Sequence, residues 1–403
     1  MTVRIYALKS FVFVLIILIV IISYSITVFG EESLQEEYID EIPEEVTVVN
    51  ARGKVIRNLD MRKDIIEYSG GSIEDSVQRL EVRITSGEFK NTVVEAEYPL
   101  SLDFVGGQNN ALLRPGDEVL LTLELDDAGN IVSAVIYNPA RDKSVLLLVS
   151  VFAIVILSVG KMKGLKTLVA LIITVLAIYF ILLPLLLKGR DPMLITVFAS
   201  VLITSATLLL VSGFNKKTLA AVLGTTGGVV AAGVIAKIIG SMAKLTGLGT
   251  EESQMLLYIP QDIKFNYRGL LFSGIILGAL GACMDVGMSL SSAMFEIKEQ
   301  NPELNRIQLF QSGMNIGRDM MGTMANTLIL AYVGGCLPLF LLFGAYNMPL
   351  AEIINQDGFA GEIIRSMAGS IGLILTIPLT AMVSSFLYEH ITARTAIDSA
   401  DDY

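Results

Sequence analysis

Eight apolar runs, most of them about 20 residues long, constrain this chain more than any other feature. A run of that length crosses the roughly 30 Å hydrocarbon core as one helix, where lipid offers backbone groups no other partner. The runs fall at residues 11–29, 144–160, 167–187, 193–213, 219–240, 269–297, 320–344 and 367–390. They predict a polytopic α-helical membrane protein with about eight transmembrane helices. Composition agrees, since 53% of the 403 residues are hydrophobic and only 17% are charged, against a usual quarter charged.

Between the first two runs the pattern changes. Residues 31–45, EESLQEEYIDEIPEE, are acidic and unpatterned and read as a solvated linker. Beyond them come short alternating segments, VTVVNARGKVI, RLEVRIT, NTVVEAEY, DEVLLTLEL and NIVSAVIY, separated by turns such as RPGDE and DDAGN. Period-2, β-branched segments with such turns predict a small all-β barrel or sandwich of oligonucleotide/oligosaccharide-binding type. Three regions are therefore expected: an N-terminal transmembrane anchor at 1–30, an extracytoplasmic β domain with its acidic linker at 31–142, and a seven-helix membrane domain with a cytoplasmic C-terminus at 143–403. The first run also fits a cleaved signal peptide, but it exceeds the usual length of such a segment, which favours a retained anchor.

Loop charge sets the orientation. Lys161, Lys163, Lys166, Lys216, Lys217, Lys298, Arg306, Arg318 and Arg394 share one side, while Asp191, Glu251, Glu252, Asp262, Glu352, Asp357 and Glu362 dilute the other. The positive-inside rule puts both termini in the cytoplasm and the β domain outside.

Several functions are disfavoured. The net charge of −11 and the lack of a basic, aromatic face argue against nucleic acid as partner. Cys283 and Cys336 both lie in apolar runs, so the β domain has no disulfide framework. His390 is the only histidine, and HExxH and GxGD motifs are absent. An enzyme is not expected, and nothing in the sequence asks for a metal or another cofactor.

Polar residues inside the runs carry what chemistry there is. Gly274, Gly278, Gly281, Asp285, Ser289, Ser292 and Glu296 follow one another at three- or four-residue steps, which places them on one helix face. The glycines read as a packing stripe where another helix approaches. A carboxylate at a helix centre costs about 2.5–3.5 kcal/mol on insertion scales. Asp285 therefore serves either a structural hydrogen bond between helices or an ion or proton path. Arg318 and Asp319 are adjacent and need separate partners; Asp319, Thr323 and Asn326 form a second stripe. Thr225 and Thr226 sit in the small-residue run GTTGGVVAAG, and Thr380 follows Pro378. Met314, Met320, Met321 and Met324 read as packing rather than metal ligands. Pro184, Pro338 and Pro378 are expected to kink their helices. At about 1.5 Å per residue, Asp285, Asn326, Thr225 and Thr380 each lie roughly 12–16 Å above Glu296, Arg318, Lys217 and His390, the markers of the inner interface. That common depth predicts one polar cluster facing the bundle interior.

The strings LGACMDVGMSLSSAMFEI, GMNIGRDMMGTMANTLILAY and RSMAGSIGLILTIPLTA resemble the YibE/F-like family of bacterial multi-pass membrane proteins over about residues 145–390. Membership implies a bacterial plasma-membrane protein. Over about 60 residues, the order of glycine-rich helix, Asp285, the segment Glu296–Ile297–Lys298–Glu299 and a polar-started helix is also similar to the proton-conducting helices of Sec translocon accessory subunits and RND exporters. There an intramembrane Asp works with a basic or polar group on neighbouring helices. The sequence thus supports a secondary transporter or exporter component with a proton or cation site at Asp285. The alternative is a non-transporting accessory or scaffold protein whose β domain binds an envelope partner. Expected partners are the lipid bilayer, a second family member or further copies of the chain, and a small molecule or ion as substrate.

Overall fold

A computed structural model of the chain describes residues 47–68, 71–100, 112–259 and 265–389. The expected first span at 11–29, the acidic linker and His390 lie outside these residues. The described chain divides into two compact units.

The first unit contains a closed five-stranded β barrel: β1 (Thr47–Tyr68), β2 (Gly71–Ile84), β3 (Val93–Leu100), β4 (Glu118–Leu125) and β5 (Ile131–Pro139), in the order β1-β2-β3-β5-β4. Strict alternation buries every second residue of β4, including Val119, Leu121 and Leu123. They meet Leu80, Val82, Ala96 and Ile136 in one core. Gly53 is required where β1 crosses this core, since a Cβ there would strike Val82 and lie 2.7 Å from Leu121. Gln78 is fully buried but satisfied, donating to the Leu113 carbonyl at 2.9 Å and accepting from its amide at 3.0 Å. The DDAGN turn closes the β4–β5 hairpin. Amides of Asn130 and Ala128 bond the Asp126 carboxylate at 2.7 and 3.0 Å, holding its pKa below the ordinary value. β1 and β2 run further than the alternating segments suggest, pairing antiparallel as far as Tyr68 and Gly71.

Helix α1 (Asp142–Ala177) leaves the barrel directly. Asp142 bonds Arg52 at 2.9 Å, and Lys143 pairs with Glu118. Lys161 breaks α1 with φ 47° and ψ −126°. The break is sharp enough that a Cβ on Gly164 would collide with the Ile156 carbonyl. A π-helical turn, Ile178–Leu182, then joins α1 to α2 (Leu183–Leu187), with Pro184 in its first turn.

The helical unit continues through α3 (Pro192–Ser212), α4 (Lys216–Met242), short α5 (Glu251–Met255), α6 (Tyr267–Gln300), α7 (Arg306–Gly335), α8 (Leu337–Ala345), α9 (Leu350–Ile354) and α10 (Asp357–Leu387). Five helices among the described residues are long and apolar enough to cross a membrane, and a sixth follows if α7 and α8, bent by 59°, form one span. The expected spans 144–160 and 167–187 fall within one of the five, Asp142–Leu187.

Two helices start earlier than expected. α7 begins at Arg306, where Asn305 and Gln308 form a reciprocal capping box, so Arg318 and Asp319 lie within the helix and not in a loop before it. α10 begins at Asp357 and therefore takes in Glu362 and Arg365, which the sequence reading left in an outer segment.

Small residues set the packing. Gly224, Gly228 and Ala232 of α4 meet Thr380, Thr376 and Gly372 of α10 in antiparallel register, each row stepping by one helical turn. α6 contributes Ile276, Ala279, Leu280, Cys283, Val286 and Leu290 to the same core. Near one end Ser291 donates to the Lys217 carbonyl at 2.8 Å and lies 2.6 Å from the Tyr388 hydroxyl, tying α4, α6 and α10 together. Buried Lys298 closes the α6–α7 turn by donating to the Pro302 and Leu304 carbonyls at 2.6 and 2.8 Å.

Candidate functional site

The polar residues at middle depth form two groups that face different ways. Thr225 is fully buried between α4 and α6, donating to the Cys283 carbonyl at 3.2 Å. Thr380 is equally buried against Gly224, and its hydroxyl has no partner among the described residues. Thr226 turns instead toward α3, where it shares a narrow cleft with Ser200 and Thr204.

Asp285 is exposed, on the side of α6 away from Cys283 and Gly287. The single interior cluster expected from depth alone is therefore divided. The reason is angular: Cys283 and Gly287 are each two residues from Asp285, close to half a helical turn, so the face that meets α4 is the back of the face that carries the carboxylate. Depth placed these residues and azimuth separated them.

Asp285 belongs to a continuous exposed face. On α6 it includes Gly274, Gly278, Gly281, Ser289 and Glu296; on α7 it includes Asn315, Arg318, Asp319, Thr323, Asn326 and Thr327. Two contacts fix the register of these antiparallel helices. Gly313 packs against Met294, and Gly278 packs against the Tyr332 hydroxyl. Interpolating between them sets Asp285 about level with Thr323 and Met324, so Asn326 lies roughly 3 Å away in depth. Neither Asp285 nor Asn326 has a hydrogen-bond or ion-pair partner among the described residues. Thr323 and Thr327 turn their hydroxyls back onto the Met320 and Thr323 carbonyls, at 3.0 and 2.9 Å. Arg318 bonds Asn315 at 3.1 Å, not Asp319.

The glycines on this face behave in two ways. A Cβ on Gly281 or Gly322 would meet nothing within 4 Å, so both lie open. Gly278 instead makes room for the hydroxyl of Tyr332, which is buried without a partner among the described residues. Beyond it, the Arg365 guanidinium approaches Gly274, donates to Glu362 at 3.0 Å and leaves its Nε unpaired. Glu362 and Arg365 line a cavity of about 320 Å³ with Thr250, Glu252, Tyr267 and Gly361. At the other end of the face, Glu296 lies 3.5 Å from Lys217, whose ammonium stacks 4.3 Å over the Phe295 ring.

Tyr332 and Arg365 escaped the sequence reading. A signal for Arg365 exists: Gly358, Gly361, Arg365, Gly369 and Gly372 keep a helical three- or four-residue step, which would have placed the arginine inside the last helix. Among the described residues no three His, Cys, Asp or Glu side chains gather closely enough to hold a metal ion.

A bundle of long apolar helices with polar groups at mid-length, carried with a small β barrel on one chain, is that of a helical membrane protein. The family model for YibE/F-like proteins matches residues 148–390, and the chain belongs to that family. No curated protein and no solved structure matches the chain.

Proposed function

We propose that the chain is a secondary transporter or exporter component and that Asp285 is its proton or cation site. One observation carries the reading: a carboxylate with no partner among the described residues sits midway along a helix of membrane-spanning length, on a face opened by Gly281. Such a group is costly in hydrocarbon and is retained where it exchanges a proton or ion. A row of polar groups supports a route past it. Arg365 and Tyr332 approach the outer half of the α6 face at Gly274 and Gly278. Asp285, Asn326 and Thr323 stand at the middle, and Ser289, Glu296 and Lys217 follow toward the inner end. Orientation in this reading has the barrel outside a bacterial plasma membrane and both termini in the cytoplasm. Eight spans result when residues 11–29 supply the first, Lys161 divides the next helix in two, and α7 with α8 forms one bent span.

The test is proton flux in liposomes carrying purified protein and a trapped pH indicator, under an imposed gradient. Asp285→Asn keeps the shape and removes the titrating group, so flux is expected to fall to the level of empty liposomes. Asn326→Ala should lower it less. Flux equal to wild type in Asp285→Asn would refute the assignment. A second reading, a scaffold whose barrel binds an envelope partner, draws on the exposed Val48, Val132 and Tyr137 of the barrel surface.

A further inference from the structure

The outward surface of the helical unit is of two kinds. On α3, α4 and α10 the exposed side chains include Leu194, Phe198, Leu223, Ile238, Ile371 and Met382, which lipid tails cover without cost. On α6 and α7 the exposed residues nearest the level of Asp285 are Gly281, Asp285, Gly322, Thr323, Asn326 and Thr327, with Leu330 and Val333 exposed further along α7. Lipid cannot satisfy a carboxylate or an amide, so this face needs a protein covering.

Three features identify the covering. The face is self-complementary: Asp285 offers a carboxylate, Asn326 offers two amide hydrogens, and neither is used among the described residues. The two residues lie at nearly one depth on neighbouring helices, and a two-fold axis along the membrane normal preserves depth. An isologous pairing therefore brings each carboxylate to the other copy's amide, twice over. Gly281 and Gly322 leave no side chain at the contact, which permits the close backbone approach that membrane helix pairs favour. Residues 11–29 match the face less well, because their polar groups, Ser23, Tyr24, Ser25 and Thr27, gather near one end of an otherwise aliphatic run.

We propose that the α6–α7 face packs against the same face of a second copy of this chain, with Asp285 of each copy facing Asn326 of the other. The proposal does not rest on transport, since the polar exposure alone carries it, and its test reads no flux.

The test is cross-linking in native membranes. Single cysteines replace Gly281 or Gly322, where space is open, in a background of Cys283→Ala and Cys336→Ser. Leu223→Cys and Ile238→Cys on the apolar face serve as controls. A short bis-maleimide should shift most of the chain to twice its 43.6 kDa mass at both glycine positions and leave the controls at monomer mass. Three results would overturn the proposal: no shift at either glycine, an equal shift at the controls, or a product of some other mass. A product of other mass would point to a different protein; an internal link to residues 11–29 would leave the chain at monomer mass and count as no shift.

Discussion

The α4–α10 crossing and the α6–α7 face are both rich in small and polar residues, yet they serve opposite ends. At the crossing, Gly228 and Gly372 bring two backbones so close that a Cβ on Gly228 would strike Thr376 and lie 2.7 Å from the Gly372 carbonyl. Polar groups there are enclosed, as with Thr376, which donates to the Gly372 carbonyl at 3.0 Å. On the α6–α7 face Gly281 and Gly322 touch nothing, and the Asp285 carboxylate beside them has no partner among the described residues. Small residues alone thus do not mark a function. The proposed site differs in having a small residue with empty space in front of it and a polar group alongside that no described residue satisfies.

The largest expected effect lies at the crossing. Gly228→Val has no way to be accommodated without moving backbone, and overpacking of this kind costs about 1–3 kcal/mol or more. Membrane abundance of folded protein should fall severely. Gly281→Val, an identical change on the open face, should leave abundance near wild type, by fluorescence size-exclusion of a tagged chain. Equal losses at both positions would break the comparison.

A more moderate effect is expected from Asn326→Leu. If the face met lipid, replacing an unpaired amide by leucine would raise thermal stability, because an unsatisfied polar group would be removed from hydrocarbon. With the face sheltered by protein, the same change lowers the melting temperature of the membrane-embedded protein and reduces flux. A melt of wild type and Asn326→Leu, in detergent and in liposomes, separates these outcomes.

Much of this was legible in the sequence. Long apolar helices and strands follow from run length and from period-2 alternation: five described helices are of spanning length, and the barrel strands include VTVVNARGKVI, RLEVRIT, NTVVEAEY, DEVLLTLEL and NIVSAVIY almost entirely. The family followed from motif strings. Azimuth between helices was not legible: one sequence gives the face of each helix, not which neighbour that face meets. For this reason Thr225 and Asp285, matched in depth, were expected together and stand on opposite sides of α6. The early start of α7 is readable in Asn305 and Gln308, a capping pair that lies well before the apolar run begins.

The smallest effect concerns the barrel, which serves as a soluble control for the bundle. The described barrel strands enclose their own core, and residues 45–140 should fold as a fragment. Asp126 accepts two amides, so its folded pKa is depressed below the ordinary 3.8. Its contribution is present above the unfolded pKa and is lost as pH falls through the lower folded value. Asp126→Ala should therefore lower the fragment's melting temperature slightly at neutral pH, with the difference from wild type vanishing in acid. A difference independent of pH would contradict the role given to the carboxylate.

The most direct test of the central claim, that the α6–α7 face is sheltered from lipid, is the accessibility of nitroxide spin labels in reconstituted bilayers. Labels go on single cysteines at Gly281 and, as lipid-facing reference, at Leu223, which is 48% exposed. The account predicts that the Leu223 label collides freely with oxygen, which concentrates in hydrocarbon. The Gly281 label should show low oxygen collision, restricted motion and, where water reaches Asp285, collision with a polar nickel reagent. Matching oxygen-rich profiles at the two positions would contradict it.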